Sequence, residues 1–178
     1  MSNVSTKQEF VSVLNEYTSQ NGQTFGELSA AAPVLLIFLR HLSCPFCRRV
    51  MRDVAAMRKK IEARGVAIAF VHMAEEAEAA KLFKYFRMAD VPRFTDESRQ
   101  LYRLAGLRNM RLSRLLDHKM MREGWQVGRE LRDAPRAKGG SLLQMPGVFL
   151  IDQGHVLAGE SVLDFDAELD LLTILNAA

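Results

Sequence analysis

The sequence has 178 residues and a formal net charge of +3, with 48% hydrophobic and 25% charged residues. These values are typical of one ordinary globular domain, and they exclude a disordered, collagen-like or disulfide-scaffold chain. The longest apolar run, residues 30–39, is too short to span a bilayer, so we expect no membrane association. Residues 1–16 are polar and contain no basic region followed by an apolar stretch. We therefore expect no signal peptide and a cytoplasmic, reducing compartment.

Hydrophobic spacing predicts helices and strands in alternation. An amphipathic helix covers about residues 6–20, and a continuous apolar run at 34–39 is typical of a strand buried on both faces. A second helix follows Pro45 and stops at Gly65. The later predicted elements are a strand at 66–71, helices at 75–86, 97–104, 110–122 and 165–175, an extended piece at 91–94, a mobile loop at 132–140 and a hairpin of 148–151 with 156–158. The strand–helix–strand unit predicts parallel neighbours, and the hairpin predicts an antiparallel pair, so the expected fold is a mixed α/β sheet flanked by helices.

Charge is distributed unevenly along the chain. Residues 99–138 hold eleven Lys/Arg against four Asp/Glu, whereas residues 152–178 hold six acids and no Lys/Arg. The basic positions are mixed with apolar ones and lack interleaved aromatic residues, so we expect a solvated helical surface and no nucleic-acid binding. The one tryptophan, Trp125, is expected to be partly buried packing in this region.

Redox chemistry is predicted at Cys44 and Cys47, which are separated by Pro45 and Phe46 where the first strand gives way to a helix. A CxxC in this position of a protein from a reducing compartment is typical of a redox pair. Pro45 suits the first helical position, which places Cys44 at the N-cap, where the helix dipole favours its thiolate. We therefore predict that Cys44 is the attacking thiolate and that Cys47 is the resolving thiol.

Several neighbours are candidates for assisting Cys44. Arg40, Arg48 and Arg49 are expected to add positive potential that lowers its pKa. Three roles stay open for His41: it accepts a proton from the thiol, it is a ligand, or it is a structural residue at the strand end. A zinc site needs about two further ligands, and the histidines show no His-x3–5-His spacing, so no metal is expected. The remaining histidines, expected to be structural or on the surface, are His72, His118 and His155.

Three segments carry a family resemblance: residues 38–49, 91–107 and 143–152. Together they resemble the thioredoxin superfamily and, more narrowly, its peroxiredoxin-like AhpC/TSA branch. The resemblance implies a single thioredoxin-like domain over residues 1–178. Its parts are an N-terminal helix at about 6–20, a core at about 33–72 and 145–176, and a helical insertion at about 75–140.

The resemblance also implies substrate contacts. Met145–Pro146 is similar to the cis-proline site of thioredoxin-fold proteins, where the residue before the proline offers its backbone to an extended substrate. X–Pro bonds are the ones that tolerate cis, so a cis bond is expected here. The expected substrate-binding residues are Pro45, Phe46, Met145 and Pro146.

The sequence departs from true peroxiredoxins at three positions. Their Pro-x-x-x-Thr-x-x-Cys motif has Ile37 and His41 at the matching positions here, and a family arginine falls at Pro146. Peroxide cleavage needs placed donors for the leaving oxygen. Thiol–disulfide exchange needs only a thiolate, a resolving thiol and a docking edge. The residues therefore favour exchange, whereas the resemblance favours peroxide reduction.

The predicted function is that of a thiol–disulfide oxidoreductase in which Cys44 attacks a disulfide or a hydroperoxide and Cys47 resolves the product. One alternative is a peroxiredoxin-type antioxidant peroxidase. Another is a non-catalytic redox-sensing or binding module that docks an acidic partner through its basic insertion.

The chain contains no dinucleotide fingerprint and no P-loop. No cofactor is therefore expected beyond the Cys44–Cys47 disulfide, and electrons are expected from an external thiol such as thioredoxin, glutaredoxin or glutathione. The choice between a hydroperoxide and a protein disulfide as substrate stays open, and so does the oligomeric state, with a homodimer as one option.

Overall fold

The fold is built around a five-stranded mixed sheet. The computed structural model describes residues 2–110, 118–135, 137–161 and 174. The strands are β1 (Val34–Phe38), β2 (Ala67–His72), β3 (Arg93–Thr95), β4 (Gly147–Asp152) and β5 (His155–Ser161). The helices are α1 (Ser2–Asn15), α2 (Phe25–Ala31), α3 (Pro45–Glu62), α4 (Glu76–Tyr85), α5 (Gln100–Leu104) and α6 (His118–Glu130). No helix in the described ranges is long and apolar enough to cross a membrane.

The strand order is β3-β2-β1-β4-β5, which puts β1 at the centre. β1 pairs in parallel with β2, and β2 in parallel with β3. β4 pairs antiparallel with β1 and forms the hairpin with β5. The predicted parallel unit and the predicted hairpin are both confirmed.

Side chains of the central strands alternate between two cores, as the two-residue period of a strand requires. Leu35 and Ile37 of β1 point to a core that also contains both cysteines and packs under α3, α4 and α6; we call it the cysteine core. Leu36 and Phe38 point to the opposite face, where α1, α2 and α5 cover a second core. We call this one the aromatic core, and its rings are Phe10, Phe25, Phe38, Phe94, Tyr102 and Phe149. Every residue of β1 is buried, which confirms the prediction from its continuous apolar run.

The N-terminal region differs from the prediction. α1 ends at Asn15 instead of near residue 20, because the chain turns there and Thr18 bridges to Thr24. Thr24 then caps α2, a helix that the hydrophobic pattern did not reveal. Its capping box with Glu27 was readable in the sequence as Thr-x-x-Glu.

The insertion and the C-terminal region differ as well. The helix predicted at 110–122 is described only from His118, where α6 begins, and α6 continues to Glu130. Residues 111–117 lie outside the described part of the chain. The helix predicted at 165–175 also lies outside it, except for the buried Ile174.

Candidate active site

The two cysteines lie at the turn that joins the central strand β1 to α3. β1 ends at Phe38, and Cys44 is the N-cap residue of α3, with Pro45 in its first turn. The Cys44 amide donates to the carbonyl oxygen of His41 at 2.9 Å, which closes the turn. Both cysteines are free thiols, and each is only 3% exposed. Cys44 therefore lies at the positive end of the helix dipole, with Cys47 one turn further on.

The surroundings separate the pKa values of the two cysteines. The pKa of Cys44 is lowered to about 5, chiefly by a hydrogen bond from the Cys47 thiol, against the opposing effect of burial. The charge of Arg40 lowers it further, and the Arg40 Nε lies 3.3 Å from the Cys44 Sγ. The pKa of Cys47 is raised, because its thiol donates to Cys44 and because it is buried. At neutral pH the pair is therefore a thiolate at Cys44 and a protonated thiol at Cys47.

His41 and Arg48 shape the turn around Cys44. The His41 Nδ1 accepts a hydrogen bond from the Ser43 amide at 3.1 Å. Burial lowers the pKa of His41, so its ring is neutral at pH 7. Arg48 is buried, and it donates from Nε to the Leu42 carbonyl at 3.3 Å and from Nη2 to the Pro135 carbonyl at 3.0 Å. Of the residues expected to assist Cys44, Arg40 hydrogen-bonds to the sulfur, and the charge of Cys44 also acts on His41, whose pKa it raises against the effect of burial.

Helix α6 packs directly on the CxxC turn. Its Gly124 and Gly128 face the motif: a Cβ added at Gly124 would lie 3.5 Å from the Phe46 ring, and one at Gly128 would lie 3.9 Å from the Pro45 ring. Because glycines lie four residues apart on one side of the helix, α6 approaches the turn closely. Val127 and Leu131 on this side are buried in the cysteine core.

The segment that follows α6 completes a cover over the cysteines. The Ser43 hydroxyl donates to the Ala137 carbonyl at 2.5 Å, and the Ser141 amide donates to the Arg40 carbonyl at 2.9 Å. Gly139 has φ +105, and a Cβ there would lie 2.6 Å from the Cβ of Ala74. Within the loop predicted at 132–140, Ala134, Ala137 and Gly139 therefore pack on the site. We call α6 together with residues 131–135 and 137–141 the cover.

Met145 and Pro146 precede β4 in an extended segment. The prediction of a cis Met145–Pro146 bond is wrong, because the described residues contain no cis peptide bond. The Met145 amide donates to the Arg108 carbonyl at 3.2 Å, and the Leu143 carbonyl accepts from the Met110 amide at 2.6 Å. The segment pairs with its own chain on the way into β4, and this pairing is compatible with a trans proline.

Expectations about Trp125 and the remaining histidines are also decided. Trp125 is 65% exposed, so the prediction of partly buried packing is wrong. His72 is buried, and its Nδ1 lies 3.0 Å from the Ala74 carbonyl oxygen, so its role is structural, as predicted. His118 and His155 are exposed. Within the described ranges, no group of three or more His, Cys, Asp or Glu side chains is arranged to hold a metal ion.

The sequence interpretation missed the cover and the role of Ser43. The signal for the cover was present as Gly124 and Gly128 at helical spacing and as the pair Gly139–Gly140. Paired glycines at such spacing mark close approach of backbone to a neighbouring element. Nothing in the sequence, however, shows which element that neighbour is.

A family model describes most of the chain. The model of the AhpC/TSA antioxidant enzyme family matches residues 53–160. The match begins inside α3, just after the CxxC turn, and it includes the cover and the β4–β5 hairpin.

Similar proteins cover nearly the whole length. The prostamide/prostaglandin F synthase of Danio rerio is 29% identical over 171 residues, which cover 92% of this chain and 79% of that protein. Peroxiredoxin Q of Xanthomonas campestris superposes with a TM-score of 0.65 at 15% identity and covers 93% of both chains. Reduced Prx3 of Vibrio vulnificus, solved with hydrogen peroxide, gives 0.61 at 15% identity over 90% of this chain and 91% of that chain. The predicted thioredoxin-like fold is thereby confirmed.

Proposed function

Because this chain belongs to the AhpC/TSA antioxidant enzyme family, we propose that it reduces small hydroperoxides, with Cys44 as the attacking thiolate and Cys47 as the resolving thiol. Thiol oxidoreductase chemistry follows from the family and from the CxxC pair. The observation that carries the choice of substrate is a closed site: Cys44 is 3% exposed under the cover and has the Arg40 guanidinium at 3.3 Å. A small peroxide needs far less opening of this site than the segment of another protein does.

The edge by which an extended peptide would dock is also occupied. In a thioredoxin-like site, the backbone before the proline pairs with the substrate. Here the Met145 amide already donates to Arg108, and Gln144 bridges to Asn109. A protein disulfide would have to displace these bonds, which disfavours it as the principal substrate.

The first step is attack of the Cys44 thiolate on the peroxide. The sulfur bonds to one oxygen, the O–O bond breaks, and the second oxygen leaves with the bonding electron pair and takes a proton to become an alcohol or water. The Cys44 sulfur is oxidised to a sulfenic acid by two electrons. We assign the donor for the leaving oxygen to Arg40, whose Nε lies 3.3 Å from the Cys44 sulfur; the side chains of Ile37 and Pro146 have no N–H or O–H to donate.

The second step closes a disulfide. The Cys47 sulfur attacks the Cys44 sulfur, the S–O bond breaks, and the hydroxyl leaves as water with the proton of the Cys47 thiol. The disulfide then returns to two thiols by accepting two electrons and two protons from an external thiol such as thioredoxin, glutaredoxin or glutathione. Cys47 suits this role because it stays protonated and donates to Cys44 until the sulfenic acid forms.

The test is the second-order rate at which hydrogen peroxide and cumene hydroperoxide oxidise the fully reduced protein, followed by mass spectrometry as loss of two hydrogens. We expect a rate orders of magnitude above that of a free thiol, and its loss in Cys44→Ser. The matched variant Cys47→Ser is expected to keep the first oxidation but to stop at a sulfenic acid. A wild-type rate equal to that of a free thiol would rule out the peroxidase.

Thiol–disulfide exchange is the second candidate, because a thiolate with a pKa of about 5 at a helix N-cap is a good leaving group as well as a nucleophile. Reduction of insulin disulfides by the protein, together with a peroxide rate equal to that of a free thiol, would favour this candidate over the peroxidase.

A further inference from the structure

The outer side of α6 exposes large apolar side chains among arginines. Met121 is 56% exposed and Trp125 is 65% exposed, which is unusual for side chains of this size. The Arg129 guanidinium lies 4.7 Å from the centre of the Trp125 ring. A groove of about 600 Å³ runs along this side. It is lined by Arg122, Trp125, Gln126, Arg129, Glu130 and Arg132. We call Met121, Arg122, Trp125 and Arg129 the α6 face.

The α6 face is basic once its ion pairs are considered. Glu130 is the one acid that lines the groove, and Arg52 of α3 holds it at 3.2 Å. Arg132 lies 3.7 Å from Asp133, and both side chains are more than 80% exposed, so this pair is weak. No ion pair of the described residues involves Arg122 or Arg129. Tryptophan, methionine and arginine are the side chains enriched where protein partners bind, and the charge calls for an acidic partner.

The position of the α6 face links it to the redox cycle. The same helix rests on Pro45 and Phe46 through its glycines, and the cover leaves Cys44 and Cys47 3% exposed. A thiol carried by a protein cannot reach the disulfide unless the cover moves. A donor that binds the α6 face would contact the element that has to move, next to the turn that carries the disulfide.

We propose that the α6 face docks the acidic surface of the protein dithiol that reduces the Cys44–Cys47 disulfide, an inference that rests on the function proposed above. The donor thiolate attacks one sulfur of the disulfide, and the other sulfur leaves as a thiolate. The second thiol of the donor then attacks the mixed disulfide and releases this chain. The donor loses two electrons and two protons, and Cys44 and Cys47 gain them.

The experiment compares two reductants of the oxidised full-length protein. One is an acidic thioredoxin, and the other is dithiothreitol, a small thiol that needs no docking surface. The test variant is Arg122→Glu/Arg129→Glu. The control, Arg99→Glu/Arg103→Glu, makes the same charge change in exposed side chains of a second arginine-lined pocket, which borders α5. α5 packs on the aromatic core, on the opposite face of the sheet.

We expect the rate with thioredoxin to fall by about tenfold or more in the test variant and to change little in the control. The wild-type rate should also fall with ionic strength, whereas the rate with dithiothreitol should be the same in all three proteins. Equal thioredoxin rates in the three proteins would overturn the proposal, and so would an equal loss in test variant and control.

Binding is read separately through the fluorescence of Trp125, the one tryptophan of the chain. Titration with the acidic thioredoxin should change its emission in the wild type and the control, but not in the test variant. The fluorescence change reports binding whether or not Cys44 reacts with peroxide. Failure of the proposed function and failure of docking therefore give different results. A blue shift with phosphatidylserine vesicles and none with thioredoxin would overturn the proposal in favour of a lipid surface.

Discussion

The two faces of the sheet are built on opposite principles. In the aromatic core, the Phe38 ring packs against Tyr102 at 5.0 Å and against Phe149 at 5.6 Å. The buried carboxylate at its border, Asp96, accepts hydrogen bonds from the Gln100 and Leu101 amides at the start of α5. In the cysteine core, a thiolate and two buried guanidiniums, of Arg40 and Arg48, lie among the apolar side chains. Burying charge opposes folding, whereas burying aromatic rings favours it. The comparison teaches that packing on one face stabilises the sheet, while the other face holds a buried thiolate and the two guanidiniums.

The largest effect is expected from Phe38→Ala in the aromatic core. Removing a fully buried ring leaves a cavity, and the free energy of unfolding should fall by about 3–5 kcal/mol. The measurement is urea denaturation of the reduced protein. The pKa of Cys44 in the remaining folded protein should not move, because its causes lie on the other face. A variant that keeps its stability but shifts the Cys44 pKa would break the division between the faces.

The next effect is expected from Arg40→Met in the cysteine core. The Arg40 charge helps to lower the pKa of Cys44, so its loss raises that pKa. Alkylation by iodoacetamide follows the thiolate, so the wild-type rate should be level above about pH 6 and fall as the pH drops through about 5. In Arg40→Met we expect the fall to begin at higher pH, with a loss of about twofold at pH 6.

Arg48→Met is the matched control for Arg40→Met. It removes a second buried guanidinium, but one that donates to the carbonyls of Leu42 and Pro135. Its alkylation profile should keep the wild-type midpoint. The assignment of Arg40 would be wrong if both variants moved the midpoint equally.

Much of this division was predictable from the sequence. The unbroken apolar run of β1 and the alternation of helical and strand periods specify a central sheet buried on both faces. The short local signal of Cys44-Pro45-Phe46-Cys47 specifies the N-cap and brings the two cysteines together, because proline and helix geometry act within one turn.

What the sequence did not specify are contacts between distant segments. Glycines such as Gly124 and Gly139 indicate that a neighbouring element approaches the backbone closely. The neighbours they contact, Phe46 and Ala74, are far away in sequence. Trp125 lacks the partly buried packing predicted for it, because periodicity alone does not show which side of α6 faces the core. The trans Pro146 bond depends on the pairing of its flanking residues, which is tertiary as well.

A smaller effect is expected from Tyr102→Phe, which tests the boundary between the faces. The buried Tyr102 hydroxyl donates to the carbonyls of Leu39 and Val71 at the ends of the two central strands. In Tyr102→Phe the Val71 carbonyl still accepts from the Leu39 amide. The lost hydrogen bond therefore leaves mainly the Leu39 carbonyl without its donor. Denaturation should show a loss of about 1–2 kcal/mol, with peroxide turnover at saturating reductant within about twofold of wild type. A large loss of turnover at unchanged stability would instead place Tyr102 in the catalytic machinery.

The smallest effect is expected from Glu130→Gln, which removes the ion pair between Arg52 of α3 and Glu130 of the cover. Both side chains are more than 40% exposed, so the free energy of unfolding should change by less than about 1 kcal/mol. Asp90→Asn is the matched control, because it breaks another exposed pair of α3, with Arg58, away from the cover. If glycine-mediated packing and the hydrogen bonds of Pro135, Ala137 and Ser141 hold the cover, alkylation of Cys44 should be equally slow in both variants. A rate that rises several-fold in Glu130→Gln alone would mean that the ion pair holds the cover shut, so that salt as well as a docked protein would open the site.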